Sequence, residues 1–378
     1  MNHLPFRPDS LAARSVNRAV GDLRRGVAVV ITGDHGERVL ALPAETATQA
    51  NLEEFLAAAA DAPVLLLALS RAASLLTAAS PAQGIDVADF STVAIPMEPG
   101  RLDVTSLRAM ADPTMAQGPV PDAMASGLAP DLSAAGILLA KLGRLLPAIL
   151  VARAGPSVPG LLSVAASAVL AYPADTAEGL VRAAEARVPL EEAEDTRIVA
   201  FRPPDGGIEH LAILIGHPET AETPLVRIHS ECFTGDLLGS RRCDCGPQLH
   251  QAIARMEAEG CGAVLYMAQE GRGIGLVNKL RAYTLQDGGP GLQKLDTLDA
   301  NRALGYGADE RSFAAAAAML RQLGIRRVRL LTNNPAKIAG LAAHGIEVTG
   351  RLAVSIAANG ENDAYLATKA RRFGHLLG

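Results

Sequence analysis

Apolar and polar positions along the chain alternate between two periods, that of a strand and that of a helix. The apolar runs Thr196 to Phe201 and Ile208 to Ile215 flank the turn signal Pro203-Pro-Asp-Gly-Gly207, which predicts a β-hairpin with a loop slightly longer than minimal. Leu249, Ile253 and Met256 recur at helical spacing and the stretch stops at Gly260, so an amphipathic helix leads into an apolar strand, Ala263 to Met267. A glycine-rich loop follows. Further on, Ser312 to Leu323 reads as an alanine-rich helix ending at Gly324. Val328 to Leu331 reads as a short strand running into Thr332-Asn-Asn-Pro335 and another helix to Gly345. In the first half, a helix from Val16 to Gly26 precedes a strand from Val27 to Thr32, and Pro63 to Leu69 is a second apolar run of strand length. Both halves therefore read as α/β (α+β), with no internal repeat and no low-complexity tail.

Composition divides the chain in two. Its 378 residues, 49% of them apolar, are enough for two cores. The first half is rich in alanine and leucine, whereas nearly all the cysteine, glycine-loop and polar motifs lie after residue 195. Between them, Val188-Pro-Leu-Glu-Glu-Ala-Glu-Asp195 is an acidic connector after a proline, which places the junction near residue 190 and the domains at 1–190 and 191–378. The most apolar stretch, Ile137 to Ala174, is interrupted by Lys141, Arg144, Arg153 and several prolines, so no membrane span is expected. With 35 basic against 40 acidic residues the chain lacks the positive excess that binding a nucleic-acid polymer requires. Four cysteines and no N-terminal apolar signal segment lead us to expect a reducing, cytoplasmic setting.

Three of those cysteines, Cys232, Cys243 and Cys245, supply three soft ligands and no fourth, the arrangement of a zinc site left open for chemistry. Cys243 and Cys245 are two apart, so their thiols share a side on an extended segment and diverge on a helix, which favours a strand or turn. A disulfide or three unrelated buried thiols is the competing reading. In Glu270-Gly-Arg-Gly-Ile-Gly275, glycines would let backbone N–H groups approach an anion and Arg272 would add a charged donor, although such a loop can be simply a tight turn. Asp309-Glu-Arg311 suits a general base beside an anion clamp, or a capped helix start. Thr332-Asn-Asn-Pro-Ala-Lys337 ends a strand where a helix begins, a place for a phosphate or for capping alone.

These motifs occur together and in order. Arg227-Ile-His-Ser-Glu-Cys232 with Arg242-Cys-Asp-Cys-Gly246, Gln269-Glu-Gly-Arg-Gly-Ile-Gly-Leu276, Lys279-Leu-Arg-Ala-Tyr-Thr-Leu-Gln-Asp287, Ala308-Asp-Glu-Arg311 and Leu330-Leu-Thr-Asn-Asn-Pro335 closely resemble GTP cyclohydrolase II. The likeness runs from about residue 195 to 378 and closes on Tyr365-Leu-Ala-Thr-Lys-Ala370. The resemblance implies one Zn2+ per subunit on Cys232, Cys243 and Cys245, with Cys261 a buried strand thiol. It implies that Arg227, Ile228, His229, Ser230 and Glu231 line GTP, joined by Gln248, Glu270, Gly271, Arg272, Thr297, Thr332 and Lys337. It makes Asp309 the general base and Tyr283 an active-site hydroxyl, and sets Arg311 at the α-phosphate, as covalent nucleophile or electrostatic stabiliser. The implied reaction takes C8 of GTP as formate and releases pyrophosphate. It leaves 2,5-diamino-6-ribosylamino-4(3H)-pyrimidinone 5′-phosphate for riboflavin synthesis, with Mg2+ held mainly by the triphosphate and a homodimer as the assembly. The link Gly288-Gly-Pro-Gly-Leu-Gln-Lys-Leu295 is several residues longer than the family's usual one, just before Thr297.

The first half faintly resembles the start of a 3,4-dihydroxy-2-butanone-4-phosphate synthase, through its first helix and strand and Ala44-Glu-Thr-Ala-Thr48. That family's acidic metal-binding loop is replaced by Gly33-Asp-His-Gly-Glu-Arg-Val-Leu40, and its later Gly-His-Thr-Glu-Ala-like motif has no counterpart before residue 190. Without clustered carboxylates and histidine, metal-assisted enolisation lacks its agents. The domain is expected to be catalytically dead and kept for dimerisation, solubility or regulation. Two other functions fit the motifs: a ring-opening paralogue acting on GTP or another nucleobase compound with a different product, and a non-catalytic GTP-binding zinc protein.

Overall fold

The computed structural model describes residues 9–76, 92–98, 100, 102–116, 127–156, 158–204, 206–289, 292, 294–354 and 372. The motif at 365–370, Asp205 of the hairpin turn and residues 290, 291 and 293 of the long link lie outside the described residues.

In chain order, α1 (Asp9–Arg24) precedes the hairpin β1 (Val29–Thr32) and β2 (Arg38–Pro43), then α2 (Gln49–Ala58), β3 (Val64–Ala68) and α3 (Leu69–Leu76). There follow β4 (Thr92–Pro96), α4 (Val104–Ala111), α5 (Pro130–Leu142), β5 (Ala148–Arg153), β6 (Ser163–Ala165) and α6 (Ala166–Glu178). The antiparallel strands β7 (Val181–Arg187), β8 (Thr196–Arg202) and β9 (His210–Ile215) lead to β10 (Leu225–Ser230), α7 (Cys245–Ala258) and β11 (Gly262–Met267). Then come α8 (Leu276–Asp287), α9 (Thr297–Ala303), α10 (Ala314–Gln322), β12 (Arg327–Leu331), α11 (Pro335–Ala343) and β13 (Glu347–Leu352). The hairpin, the helix before β11, the alanine-rich helix and the strand before Thr332 all form where the hydrophobic pattern puts them, within one to four residues at most ends. Cys261 departs from expectation: it is half-buried and sits one residue ahead of β11, where the chain is still turning after Gly260.

Two compact units result: residues 1–172 with 277–310, and residues 173–276 with 311–378. Residue 190 falls on the connection between the paired strands β7 and β8. In the first unit, six strands run in the order β4-β3-β5-β2-β1-β6, antiparallel except for the β1–β6 pair. Helix α5 is apolar on every side and buried from Leu132 to Ala140, as a helix covering a sheet must be when it is itself enclosed. It packs with Val16, Ala19 and Leu23 of α1 on Ile31, Val39 and Ile149.

The second unit is a mixed seven-stranded sheet in the order β13-β12-β10-β11-β9-β8-β7. Its two faces are both covered. Val226, Ile228, Leu265 and Leu330 meet the alanine face of α10 and Leu341 of α11, whereas Leu225, Val264 and Leu331 meet Ile253 and Met256 of α7. Burial on both faces explains why β11 reads Gly-Ala-Val-Leu-Tyr-Met without alternation. Strands β12, β10 and β11 are adjacent and parallel, in register from Leu225–Gly262 to Ser230–Met267 and at Val226–Leu330. Their carboxyl ends therefore lie side by side, the place where open α/β sheets bind ligands. Each of those ends carries one motif: Arg227 to Cys232 on the last residues of β10 and just beyond, Gln269 to Gly275 after β11, and Thr332 to Lys337 after β12.

Candidate active site

At the end of β10 the chain passes Cys232 and makes one wide helical turn, Phe233–Leu237, before returning through Cys243 to the first residue of α7, Cys245. Cys243 thus lies in irregular backbone just after the turn at 241 and 242, while Cys245, where the spacing favoured a strand or turn, opens a helix and is brought back to its partner by the irregular backbone at Asp244. All four cysteines are free, so the disulfide reading does not hold. The Cys232 and Cys243 Sγ atoms are 3.7 Å apart, and the three sulfurs lie within 4.8 Å of one another. A tetrahedral ion with bonds of about 2.3 Å spaces its sulfurs ~3.8 Å apart, so the donor set fits a thiophilic dication. Hydrogen bonding with Cys232 pushes Cys243 up, and hydrogen bonding with Cys232 and Cys243 pushes Cys245 well up from the ordinary thiol range. A cation among them would reverse that direction. Among the described residues this is the one group of three or more His, Cys, Asp or Glu side chains gathered closely enough to hold an ion.

Glycine makes the cluster possible. A Cβ on Gly235 would stand 2.7 Å from Cys243 Sγ and 3.0 Å from Cys232 Sγ, while the Gly235 N–H donates to Cys232 Sγ at 3.3 Å. Beside it, the Asp236 carboxylate accepts from Cys232 N at 2.9 Å, from the Tyr266 hydroxyl at 2.9 Å and from His229 Nε2 at 3.1 Å. The His229 and Tyr266 rings stack with centroids 5.5 Å apart. Arg227 Nε faces His229 Nδ1 at 3.5 Å, which assigns the imidazole proton to Nε2, toward Asp236. Burial pushes His229 below its ordinary value and Tyr266 above its own. Asp236, Tyr266 and Gly235 are absent from the sequence-based list, because only the fold shows that β11 sets Tyr266 beside the turn after β10.

Arg227 is buried on β10 and its guanidinium donates to Gln248 Oε1 at 2.6 Å and to Leu331 O at 3.4 Å; burial lowers its pKa to about 10. Gln248 in turn donates to Asp244 Oδ2 at 2.6 Å, tying Arg227 to the first turn of α7. Ser230 Oγ is shielded and has no hydrogen-bond partner, and Gln269 Oε1, after β11, is in the same state. The Glu270 carboxylate is buried and accepts from Phe233 N at 2.7 Å and Gly271 N at 3.1 Å, so it locks the glycine loop to the cysteine turn. Gly271, Arg272, Gly273 and Gly275 all have positive φ. For Arg272, at φ 64 and ψ 34, that left-handed backbone costs ~1–2 kcal/mol. The loop is therefore held in a strained form with its N–H groups turned from the usual course, as at many ligand sites. After β12, Thr332 Oγ1 accepts from Asn334 N and Asn334 caps α11, whose first residue is Pro335. Lys337 Nζ donates to Ile228 O at 2.6 Å, anchoring α11 to β10.

The second unit thus brings together the three cysteines, Arg227 to Glu231, Gln248, Glu270, Gly271, Arg272, Thr332 and Lys337, and also holds Arg311, whose guanidinium lies 5.8 Å from the Phe313 ring centroid. Tyr283, Thr297 and Asp309 belong to the first unit. Tyr283 lies on α8 with Lys279 Nζ 5.7 Å from its ring centroid. Thr297 opens α9 behind its cap Asp296, and Asp309 follows in the loop toward α10.

Residues 181–353 match the family model of GTP cyclohydrolase II. A GTP cyclohydrolase-2 of Azospirillum brasilense is 46% identical over 381 residues, covering 98% of this chain and 95% of that protein. The riboflavin biosynthesis protein RibBA of Bacillus mycoides (strain KBAB4) is 56% identical over 169 residues, 45% of this chain and 41% of that one. Among solved structures, RibBX of A. baumannii, a two-domain 3,4-dihydroxy-2-butanone 4-phosphate synthase, covers 90% of this chain and 99% of its own at 18% identity and a TM-score of 0.32. Identity at this level along nearly the whole chain, together with a cysteine triad at the carboxyl ends of parallel strands, shows an enzyme that belongs to the GTP cyclohydrolase II family.

Proposed function

We propose that this chain is a zinc-dependent hydrolase that converts GTP into 2,5-diamino-6-ribosylamino-4(3H)-pyrimidinone 5′-phosphate, formate and pyrophosphate, the opening step of riboflavin biosynthesis. The observation that carries the reading is the spacing of Cys232, Cys243 and Cys245, three thiols matched to a tetrahedral ion with one position left over. The ion, one per subunit, would supply water activated near neutral pH. The rest is the work of side chains. Ser230 Oγ and Gln269 Oε1, shielded and without hydrogen-bond partners, offer polar contacts to a purine. Arg227, buried on β10, orients Gln248, and with Ile228, His229, Glu231, Glu270, Gly271, Thr297 and Thr332 would line the nucleotide. Asp309 would take and return protons at the ring nitrogens, with the Tyr283 hydroxyl donating to them. Arg311, Arg272 and Lys337 would neutralise charge on the triphosphate and its Mg2+. As a guanidinium is a poor nucleophile while charged, Arg311 serves best as an electrostatic stabiliser.

The same reading assigns catalysis to residues 191–378 and a non-catalytic role to 1–190, in a cytoplasmic homodimer with neither a nucleic-acid polymer nor a membrane as partner. No helix among the described residues is long and apolar enough to cross a membrane. The test is incubation of the purified, zinc-loaded protein with GTP and Mg2+, following formate, pyrophosphate and the pyrimidine together. Equal amounts of all three are expected. Formate without pyrophosphate would mark a paralogue with a different product, and zinc and GTP binding without turnover would mark a binding protein. Cys243→Ser should lose zinc and formate release together, and full formate release from that variant would overturn the zinc assignment.

A further inference from the structure

The segment 277–310 lies inside the stretch that matches the GTP cyclohydrolase II family, yet it folds as part of the unit formed by residues 1–172. It is held there by directional polar contacts at points along its whole length. On α8, Arg281 lies between Glu45 Oε1 at 3.0 Å and Asp112 Oδ2 at 2.9 Å. Asn278, fully buried, donates to Arg144 O at 2.9 Å. Arg144 itself has φ 56, a left-handed conformation that a non-glycine residue keeps only when its surroundings enforce it. Past the end of α9, the Tyr306 hydroxyl donates to Leu145 O at 2.6 Å, and at the far end Lys141 Nζ pairs with Glu310 Oε1 at 2.7 Å.

Apolar packing would hold the segment but let it slide, whereas charge-assisted hydrogen bonds fix its position. Arg281, Glu45 and Asp112 are each at most 20% exposed at the side chain. Desolvating such a set is costly unless every partner is present, so its completeness here points to positioning rather than to bulk stability. The carried residues are Tyr283, two positions from the anchor Arg281, Asp309, next to the anchor Glu310, and Thr297, which lies between the anchors Arg281 and Tyr306.

We infer that the N-terminal unit is the scaffold that sets the position of segment 277–310 for the cyclohydrolase reaction, with Glu45, Asp112 and Lys141 as positioning residues. This rests on the function proposed above and assigns a use to the domain that the same reading leaves without catalysis. The experiment compares full-length, zinc-loaded wild type with Glu45→Ala/Asp112→Ala and with the isosteric Glu45→Gln/Asp112→Asn. Readouts are kcat and KM for GTP, zinc content, and amide hydrogen exchange resolved by peptide. The alanine pair should lower kcat roughly 10- to 100-fold, the cost of misplacing catalytic groups by about 1 Å. Exchange should accelerate in 277–310, while exchange in β10 and β11 and the zinc content stay at wild-type values. The amide pair, which keeps acceptors facing Arg281, should recover part of kcat. Asp61→Ala, which removes an exposed ion pair with Arg153 elsewhere in the same unit, should change nothing. A loosened segment with kcat within about twofold of wild type would overturn the inference. So would a fall in kcat that merely tracks zinc loss and faster exchange everywhere. If wild type itself releases no formate from GTP, the function proposed above fails, and unchanged exchange in 277–310 would then overturn the scaffold as well.

Discussion

Replacing Gly235 by alanine puts one methyl group where the thiols must converge. The added carbon would stand 2.7 Å from Cys243 Sγ, 3.0 Å from Cys232 Sγ and 3.0 Å from Cys245 Cβ. Ordinary contacts of this kind need roughly 3.5–4.0 Å, so the shortfall is about 1 Å at Cys243 Sγ and roughly 0.5–1 Å at the other two atoms. Without metal, the Cys232 and Cys243 thiols can swing away, leaving the contact with Cys245 Cβ as the smaller part of the strain. With metal, three bonds fix the sulfurs ~3.8 Å from one another and no relief is open. An overpacking penalty of about 1–3 kcal/mol therefore falls mainly on the bound state. At about 1.4 kcal/mol per factor of ten, zinc affinity should weaken by roughly 5- to 150-fold. Competition against a chromophoric chelator measures that affinity, and thermal melts of the metal-free and zinc-loaded forms show which state carries the cost. Wild-type zinc affinity in the variant, or a metal-free melting temperature that falls as far as the zinc-loaded one, would refute the preformed cradle.

Two further outcomes are expected. Arg272→Gly should be more stable than Arg272→Ala by ~1 kcal/mol, since both lose the guanidinium and only glycine takes φ 64 without strain; equal urea midpoints would contradict the strained loop. His229, held neutral by burial in the folded protein, binds a proton on unfolding once the pH drops below its ordinary value of 6.5. The unfolded state then carries more protons, so stability falls as pH drops through that value, and His229→Gln should lose less stability between about pH 7.5 and 5. Parallel stability curves for the two proteins would remove His229 from that linkage.

Much of the second unit was legible in sequence because its signals are local. Glycine and proline punctuate the hairpin around Pro203, helical spacing of Leu249, Ile253 and Met256 marks α7, and Gly324 ends α10. These act over a few residues, where backbone sterics and periodicity decide alone. Cys245 was harder to place, because two-residue spacing speaks of an extended segment, whereas the chain turns into α7 at that very residue. Asp236 and Tyr266 carried no signal: an aspartate in a Thr-Gly-Asp turn and a tyrosine in an apolar strand are ordinary until the register of β10 and β11 brings them to 2.9 Å.

The sequence by itself determined the donor atoms and the order of the motifs, since a thiol at Cys232 or a glycine at position 271 is available to chemistry whatever surrounds it. It also determined which segments become strand or helix. The tertiary structure alone decided that three motifs up to 110 residues apart share one edge, through the parallel pairing of β12, β10 and β11. It alone decided that residues 277–310 fold with the N-terminal unit, through buried polar pairs such as Arg281 with Glu45, 236 positions distant. Such pairings depend on loop closure and on the cost of leaving a buried charge without its partner, and neither is written in any local pattern of residues.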